Sequence, residues 1–136
     1  MLFDFWAQKM LGIFSGICEA SVSPGGCQVL FAHEAASTPV VIGTDRHVTG
    51  AIGLKQFQFD PAGSEMTGLS EGPPGSSIRH FIYVPSGQGP SEVEGGECEV
   101  SQPSVLRMEI RLPKGPGRDA VLQEWRIKLA TGRVSI

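Results

Sequence analysis

The stretch Leu106-Arg107-Met108-Glu109-Ile110-Arg111-Leu112 decides the fold class, because its apolar and charged residues alternate without a break. Successive side chains of a β-strand point to opposite faces, so this pattern predicts a strand with one buried and one solvated face. After a segment rich in glycine and proline, Val121 to Leu129 returns with Trp125, Ile127 and Leu129 inward and Glu124, Arg126 and Lys128 outward. We therefore predict a basic C-terminal hairpin over residues 105–130.

Working outward, other segments also have the composition of short strands. They are Gln28–His33, Pro39–Ile42, His47–Phe59, Ile78–Val84 and Arg133–Ile136. In the third of these the apolar positions change phase near Lys55 and Gln56, which predicts a bulge or a bend. Eighteen glycines and ten prolines among 136 residues indicate many turns, including a tight corner over residues 68–75. The predicted fold is all-β, a sandwich or curled antiparallel sheet of about seven short strands.

The N-terminus is the exception, because residues 1–20 read as an amphipathic helix. Large apolar residues recur there at three- and four-residue spacing, as Phe3, Trp6, Met10, Ile13, Phe14 and Ile17. We predict that this helix is a docking element and that residues 24–136 form a single β-rich domain. Its apolar side could pack on the chain's own sheet, on a partner protein or an identical copy, or on a membrane surface through residues 1–18. A membrane is the least favoured, because interfacial helices usually carry several basic residues and this one has only Lys9.

The charge is distributed unevenly along the chain. Residues 1–106 carry eleven acidic and four basic side chains, whereas residues 107–136 carry three acidic and seven basic ones. Residues 86–103 hold four of the glutamates among several glycines, which predicts a long acidic loop.

The predicted hairpin carries the basic cluster that could bind a partner or phosphate groups. Its members are Arg107, Arg111, Arg126 and Lys128. Cross-strand ion pairing is the plainer interpretation of these residues. No aromatic side chain is expected on that face to stack against bases, so a protein partner is favoured over nucleic acid. In an assembly of identical copies, the basic hairpin of one copy could meet the acidic loop of the next.

No pattern typical of a catalytic or metal site is evident. Cys18, Cys27 and Cys98 lack Cys-x-x-Cys spacing, although two of them could form a disulfide. The nearest approach to a metal-binding pair is Asp45 with His47, and His33, Glu34 and His80 could add ligands only from other strands. We predict no catalytic residue, no metal and no cofactor.

Together these patterns favour a non-catalytic structural or accessory subunit that docks into a larger protein assembly. A viral or phage coat-type subunit is one version, and a small accessory subunit of an organellar or membrane complex is another. The alternative is a small β-sandwich domain that binds a ligand or metal and could be enzymatic. Nothing in the sequence specifies a cellular location.

Overall fold

The computed structural model describes residues 1–47 and 53–132, and within those ranges it contains eleven β-strands and no helix. The strands form three antiparallel sheets. Their bounds are β1 Leu2–Asp4, β2 Lys9–Gly12, β3 Leu30–Ala32, β4 Val40–Thr44, β5 Leu54–Asp60, β6 Glu65–Gly72, β7 Ser77–Tyr83, β8 Pro90–Glu94, β9 Glu97–Gln102, β10 Val105–Arg111 and β11 Val121–Leu129. The all-β prediction is confirmed, whereas the prediction of about seven strands is wrong.

Two four-stranded sheets pack against each other and enclose the main core. Their strand orders are β4-β7-β10-β9 and β5-β6-β11-β8. Both sheets contribute buried side chains to that core, namely Met66, Ile82, Val84, Leu106, Met108, Ile110, Trp125, Ile127 and Leu129. Removing this much apolar surface from water is the main favourable contribution to folding. The predicted sandwich-like arrangement is thus present.

The predicted C-terminal hairpin is wrong, because β10 and β11 lie in different sheets. Strand β10 pairs with β7 and β9, and β11 pairs with β6 and β8. Residues 112–120 carry the chain from one sheet to the other instead of closing a tight turn. The inward faces of the two strands therefore meet across the core. The alternating sequence pattern is compatible with this arrangement as well as with a hairpin.

The prediction of a long acidic loop is also wrong, because residues 86–103 contain strands β8 and β9. Gly95 and Gly96 connect these strands and take the chain across the edge of the sandwich. A Cβ atom on Gly95 would lie 2.2 Å from the Glu124 carbonyl oxygen, and one on Gly96 would lie 2.3 Å from that of Glu109. Glycine is needed at both positions because the connection presses on the backbones of β10 and β11.

The predicted change of phase is present as a β-bulge, since the β5–β6 register shifts between Leu54 and Gln56. The predicted corner starts too early, because Gly68 and Gly72 belong to β6 and the chain turns only after them. The first half of the predicted strand His47–Phe59 and the whole of Arg133–Ile136 involve residues 48–52 and 133–136, which lie outside the described residues.

The predicted N-terminal helix is not present, and β1 and β2 form a hairpin in its place. Met1, Phe3 and Phe5 are all buried, which is the two-residue period of a strand. The large residues at positions 3, 6, 10, 13 and 17 have the spacing of a helix, whereas those at positions 1, 3 and 5 have the spacing of a strand. Spacing alone therefore could not decide between a helix and a strand. Tertiary contacts decide the outcome, because Phe3 packs against Phe31 and Phe81 with ring centroids 6.0 and 4.8 Å apart.

The third sheet, with strand order β2-β1-β3, packs on the β4-β7-β10-β9 sheet through a second apolar cluster. Its core consists of Met1, Phe3, Ile42, Phe81 and Val105. The side-chain amide of Gln102 also binds β2, because Met10 N donates to Gln102 Oε1 at 2.7 Å and Gln102 Nε2 donates to the Met10 carbonyl at 3.1 Å. The amide thus bonds to β2 as the backbone of a neighbouring strand would.

The packing of Phe3 leads to the first prediction. A Cβ atom on Gly43 would lie 2.3 Å from the Phe3 ring, so Gly43→Ala should force that ring out of its site. Overpacking of this kind costs about 1–3 kcal/mol of folding free energy. Urea denaturation should show the loss as a lower midpoint. The matched control is Gly117→Ala, where the nearest atom is Asp119 N at 3.8 Å. Equal stability of the two variants would show that Phe3 is not tightly held.

Candidate functional site

The segment between β2 and β3 is the most unusual surface of the chain. Residues 13–29, here called the apolar loop, contain neither helix nor strand. Between Phe5 and Ala32 the sequence has only two charged residues, Lys9 and Glu19. A connection on the surface of a domain is normally more polar than this, so the composition needs a physical reason.

Exposed apolar side chains concentrate in and beside the apolar loop. In the part of the chain that the structure describes, seven large hydrophobic residues are exposed, and five of them lie between positions 6 and 22. These five are Trp6, Ile13, Phe14, Ile17 and Val22. Ile17 is 87% exposed and Trp6 is 59% exposed. Single exposed hydrophobic residues are ordinary, but a group of this size is typical of an interaction site.

The structure divides the six apolar residues that the sequence analysis grouped together. Phe3 is fully buried, and Met10 packs partly against the second core. Trp6, Ile13, Phe14 and Ile17 are exposed. The division follows from the correction of the helix, because Phe3 and Met10 lie on β1 and β2, whereas the other four lie in the β1–β2 turn and in the apolar loop. Partner binding by these residues stays a prediction.

Asp4 on β1 anchors the C-terminal end of the apolar loop. Its carboxylate accepts hydrogen bonds from Ala7 N at 2.9 Å and from Gln28 Nε2 at 2.8 Å, and Phe5 N donates to the Val29 carbonyl at 3.0 Å. The bond from Ala7 and then the bond from Gln28 lower the pKa of Asp4 below its ordinary value. This stabilisation is therefore complete above the unfolded pKa of 3.8 and is lost as the pH falls through the lower folded value.

The four predicted basic residues do not form one surface, because two lie on each of the large sheets. Arg107 pairs with Glu99 at 2.9 Å, and Lys128 pairs with Glu92 at 3.5 Å. Arg126 binds Glu65 at 3.0 Å and also Glu94, and these hydrogen bonds raise the pKa of its guanidinium. Arg111 is exposed and makes no ion pair with any residue in the described ranges.

Three of the four glutamates in the predicted acidic loop thus pair with bases of the same chain. The complementarity expected between neighbouring copies is present within a single copy. Exposed ion pairs contribute little to stability, so these contacts chiefly neutralise the outer faces of the sheets. Whether the four basic residues bind a partner stays a prediction.

A buried polar cluster bridges the two large sheets and was missed by the sequence analysis. Trp125 Nε1 on β11 donates to Ser70 Oγ on β6 at 3.0 Å, and Ser70 Oγ lies 2.8 Å from His80 Nε2 on β7. The His80 and Trp125 rings stack with centroids 6.0 Å apart. All three residues lie at inward-facing positions of their strands. Polar residues at inward-facing positions were therefore the feature of the sequence that could have revealed this cluster.

His80 is neutral in this environment. Burial lowers the pKa of its imidazole to about 4, and Nδ1 is buried without a hydrogen-bond partner in the described structure. Ser70 and His80 are 0% and 1% exposed, so no reactant can reach the hydroxyl unless the sheets separate. The pair therefore acts on the stability of the fold.

Two of the other candidate metal ligands, His33 and Asp45, are engaged in backbone contacts. His33 Nε2 lies 3.0 Å from the Ile42 carbonyl oxygen, and Asp45 Oδ1 accepts a hydrogen bond from Arg79 N at 2.9 Å. Residues 1–47 and 53–132 contain no group of three or more metal-binding side chains. The same ranges contain no helix that is long and apolar enough to cross a membrane.

Cys18, Cys27 and Cys98 are not bridged to one another. Burial, with a smaller contribution from Glu99, raises the pKa of the Cys98 thiol to about 12. This thiol is therefore protonated at neutral pH, and the thiolate is the reactive form of cysteine.

A shallow groove of about 570 Å³ lies over the outer face of the β5-β6-β11-β8 sheet. Polar side chains from three strands line it, including Gln56 and Gln58 on β5, Thr67 on β6, and Glu124 and Arg126 on β11. The groove offers hydrogen-bond donors and acceptors, and its one cationic side chain is already paired with Glu94.

Comparison with known proteins gives no guide to the function, because no protein-family model, no curated protein and no solved structure matches the chain.

The buried histidine leads to the second prediction. Its pKa is about 4 in the fold against an ordinary value of 6.5, so the unfolded chain takes up a proton first as the pH falls. The contribution of neutral His80 is complete above pH 6.5 and is lost progressively as the pH falls from 6.5 to about 4. Between pH 7 and pH 4.5 the free energy of unfolding should drop by roughly 2–3 kcal/mol more in the wild type than in His80→Gln. Urea titrations at both pH values measure this difference, and an equal drop in both proteins would contradict it.

Proposed function

We propose that the chain is a non-catalytic subunit of a larger protein assembly and that the apolar loop, together with Trp6, is the surface that contacts a partner protein. The observation that carries the proposal is the concentration of exposed apolar side chains at positions 6 to 22. Burying a large apolar side chain contributes about 1.5–3 kcal/mol. Four such residues on the apolar loop, together with Trp6 in the β1–β2 turn, would supply substantial binding free energy to a complementary surface.

A protein partner fits this loop better than a membrane does. Peptide segments that bind anionic membranes combine apolar residues with several lysines or arginines. Between Phe5 and Ala32 the chain has one base, Lys9, and one acid, Glu19. Apolar, nearly uncharged surfaces are instead typical of the centres of protein interfaces.

A protein partner also fits better than nucleic acid. Arg107, Arg126 and Lys128 already pair with glutamates of the same chain, so their charge is only partly available to phosphates. Affinity for nucleic acid depends on such free positive charge. The net charge of −3 also disfavours binding to the negatively charged phosphates of nucleic acid.

The two finer versions of the proposal differ in the identity of the partner. A coat-type subunit would bury the apolar loop against identical copies, whereas an accessory subunit would bury it against an unlike chain. The anchoring of the loop suits both versions, because Gln28, near its C-terminal end, is bonded to Asp4 on β1, while Ile13, Phe14, Ile17 and Val22 stay exposed to a partner.

The third prediction uses photo-crosslinking of the full chain in the cells that make it. The photoreactive residue p-benzoylphenylalanine replaces Ile17 in one protein and Leu122 in the other. Leu122 is a matched control, because it is also exposed, at 53%, but lies on β11 away from the loop. Light should give a covalent adduct of discrete mass from position 17 and none from position 122. A mass that is a multiple of 14.5 kDa identifies identical copies, and another mass identifies an unlike chain.

A second measurement tests the free energy of the contact. Ile17→Asp places a charge in the proposed interface and should weaken the complex at least 100-fold, while Leu122→Asp should leave it unchanged. Sedimentation of the crosslinking-defined complex measures both. Equal crosslinking at the two positions, or equal affinity of the two Asp variants, would overturn the proposal.

A further inference from the structure

Three of the four outer strands of the sandwich are shielded, and β5 differs from them. Strands β8 and β9 are joined to each other at Gly95 and Gly96, and both carry glutamates. Beside β4, the His33 side chain binds the Ile42 carbonyl at 3.0 Å and the small third sheet packs against the strand. Charged residues, closures and covering segments are the usual means by which proteins protect sheet edges.

Among the described residues, none gives the central part of strand β5 this protection. It spans Leu54–Asp60, and the described chain places only β6 beside it. Between Lys55 and Asp60 it reads Gln56-Phe57-Gln58-Phe59, with no charge and no proline. Its second edge therefore presents backbone N–H and C=O groups that another strand can bind.

The sequence of β5 is complementary to itself. Gln56 and Gln58 line the polar outer face, whereas Phe57 and Phe59 pack partly against the core. In an antiparallel pair, residues directly opposite each other lie on the same face of the sheet. Two copies of β5 that pair in one continuous sheet therefore place glutamine opposite glutamine and phenylalanine opposite phenylalanine.

We propose that β5 pairs antiparallel with β5 of a second copy, around a two-fold axis through Gln58, to form one eight-stranded sheet. This register sets Phe57 opposite Phe59 of the other copy and Gln58 opposite itself. It also keeps the β-bulge at Leu54 to Gln56 outside the paired segment. Because the contact is isologous, it closes after two copies.

The second copy covers apolar surface that the single chain leaves half exposed. Phe57 and Phe59 pack on the core but are only partly buried. The Phe57 ring lies 6.2 Å from that of Trp125, centroid to centroid, so it is held in place before pairing. A rigid aromatic residue at a strand edge loses little conformational freedom when a partner binds.

The fourth prediction concerns charges introduced at the two-fold axis. Since Gln58 faces itself, Gln58→Lys brings two lysines together and Gln58→Glu brings two glutamates together, and like charges directly opposite disfavour pairing. Each variant alone should dimerise at least tenfold more weakly than the wild type. An equimolar mixture should recover the dimer, because lysine then faces glutamate. Analytical ultracentrifugation over a range of concentrations measures all three.

Controls separate this contact from the apolar loop and from misfolding. Leu122→Lys adds the same charge to the same sheet two strands away from β5 and should leave the dimer intact. All samples carry Ile17→Asp, so the proposed loop contact cannot contribute. Unchanged circular dichroism and urea midpoints show that the variants are folded. A monomeric Ile17→Asp protein at every concentration, or undiminished dimers of both charged variants, would overturn the inference without bearing on the loop.

Discussion

The contact of Trp125 with Gly68 is the constraint on which the sandwich depends. A Cβ atom on Gly68 would lie 2.1 Å from Trp125 Cζ2, so the indole occupies the space of a missing side chain. From there it stacks on His80, approaches Phe57 and donates its N–H to Ser70. A buried indole needs such a hydrogen-bond partner. Because Ser70 also contacts His80, one aromatic residue links the two large sheets through both apolar and polar contacts.

The strands with regular alternation could be predicted from sequence, and those without it could not. β10 alternates without a break from Leu106 and β11 from Glu124, and the bulge in β5 follows from a visible change of phase. β8 and β9 contain glutamates and border Gly95 and Gly96, a composition typical of loops, and they form strands because β10 and β11 offer them partners. Short strands depend on tertiary pairing more than on local propensity.

The sequence predicted which apolar residues belong to the candidate site region, but not which of them are buried and which are exposed. The apolar character of the N-terminal region was evident, but the helical interpretation placed Phe3 on the same face as Ile17. In the structure Phe3 is buried and Ile17 is exposed. The same holds for the charged residues, because the sequence shows where basic and acidic residues are in excess but not which of them pair in the fold. Glu94 and Arg126 are distant in sequence, and only the pairing of β8 with β11 brings them together.

The Gln102 amide that bonds to Met10 has a consequence for how the chain tolerates mutation. Backbone pairing between strands is largely indifferent to residue identity, because every residue except proline carries the same donor and acceptor. Here one side chain supplies both groups. Asparagine would be too short by one methylene, and glutamate would lack the donor. The attachment of β2 to β9 therefore depends on one side chain, so few residues can replace Gln102 without loss of this contact, although it is polar and only partly buried.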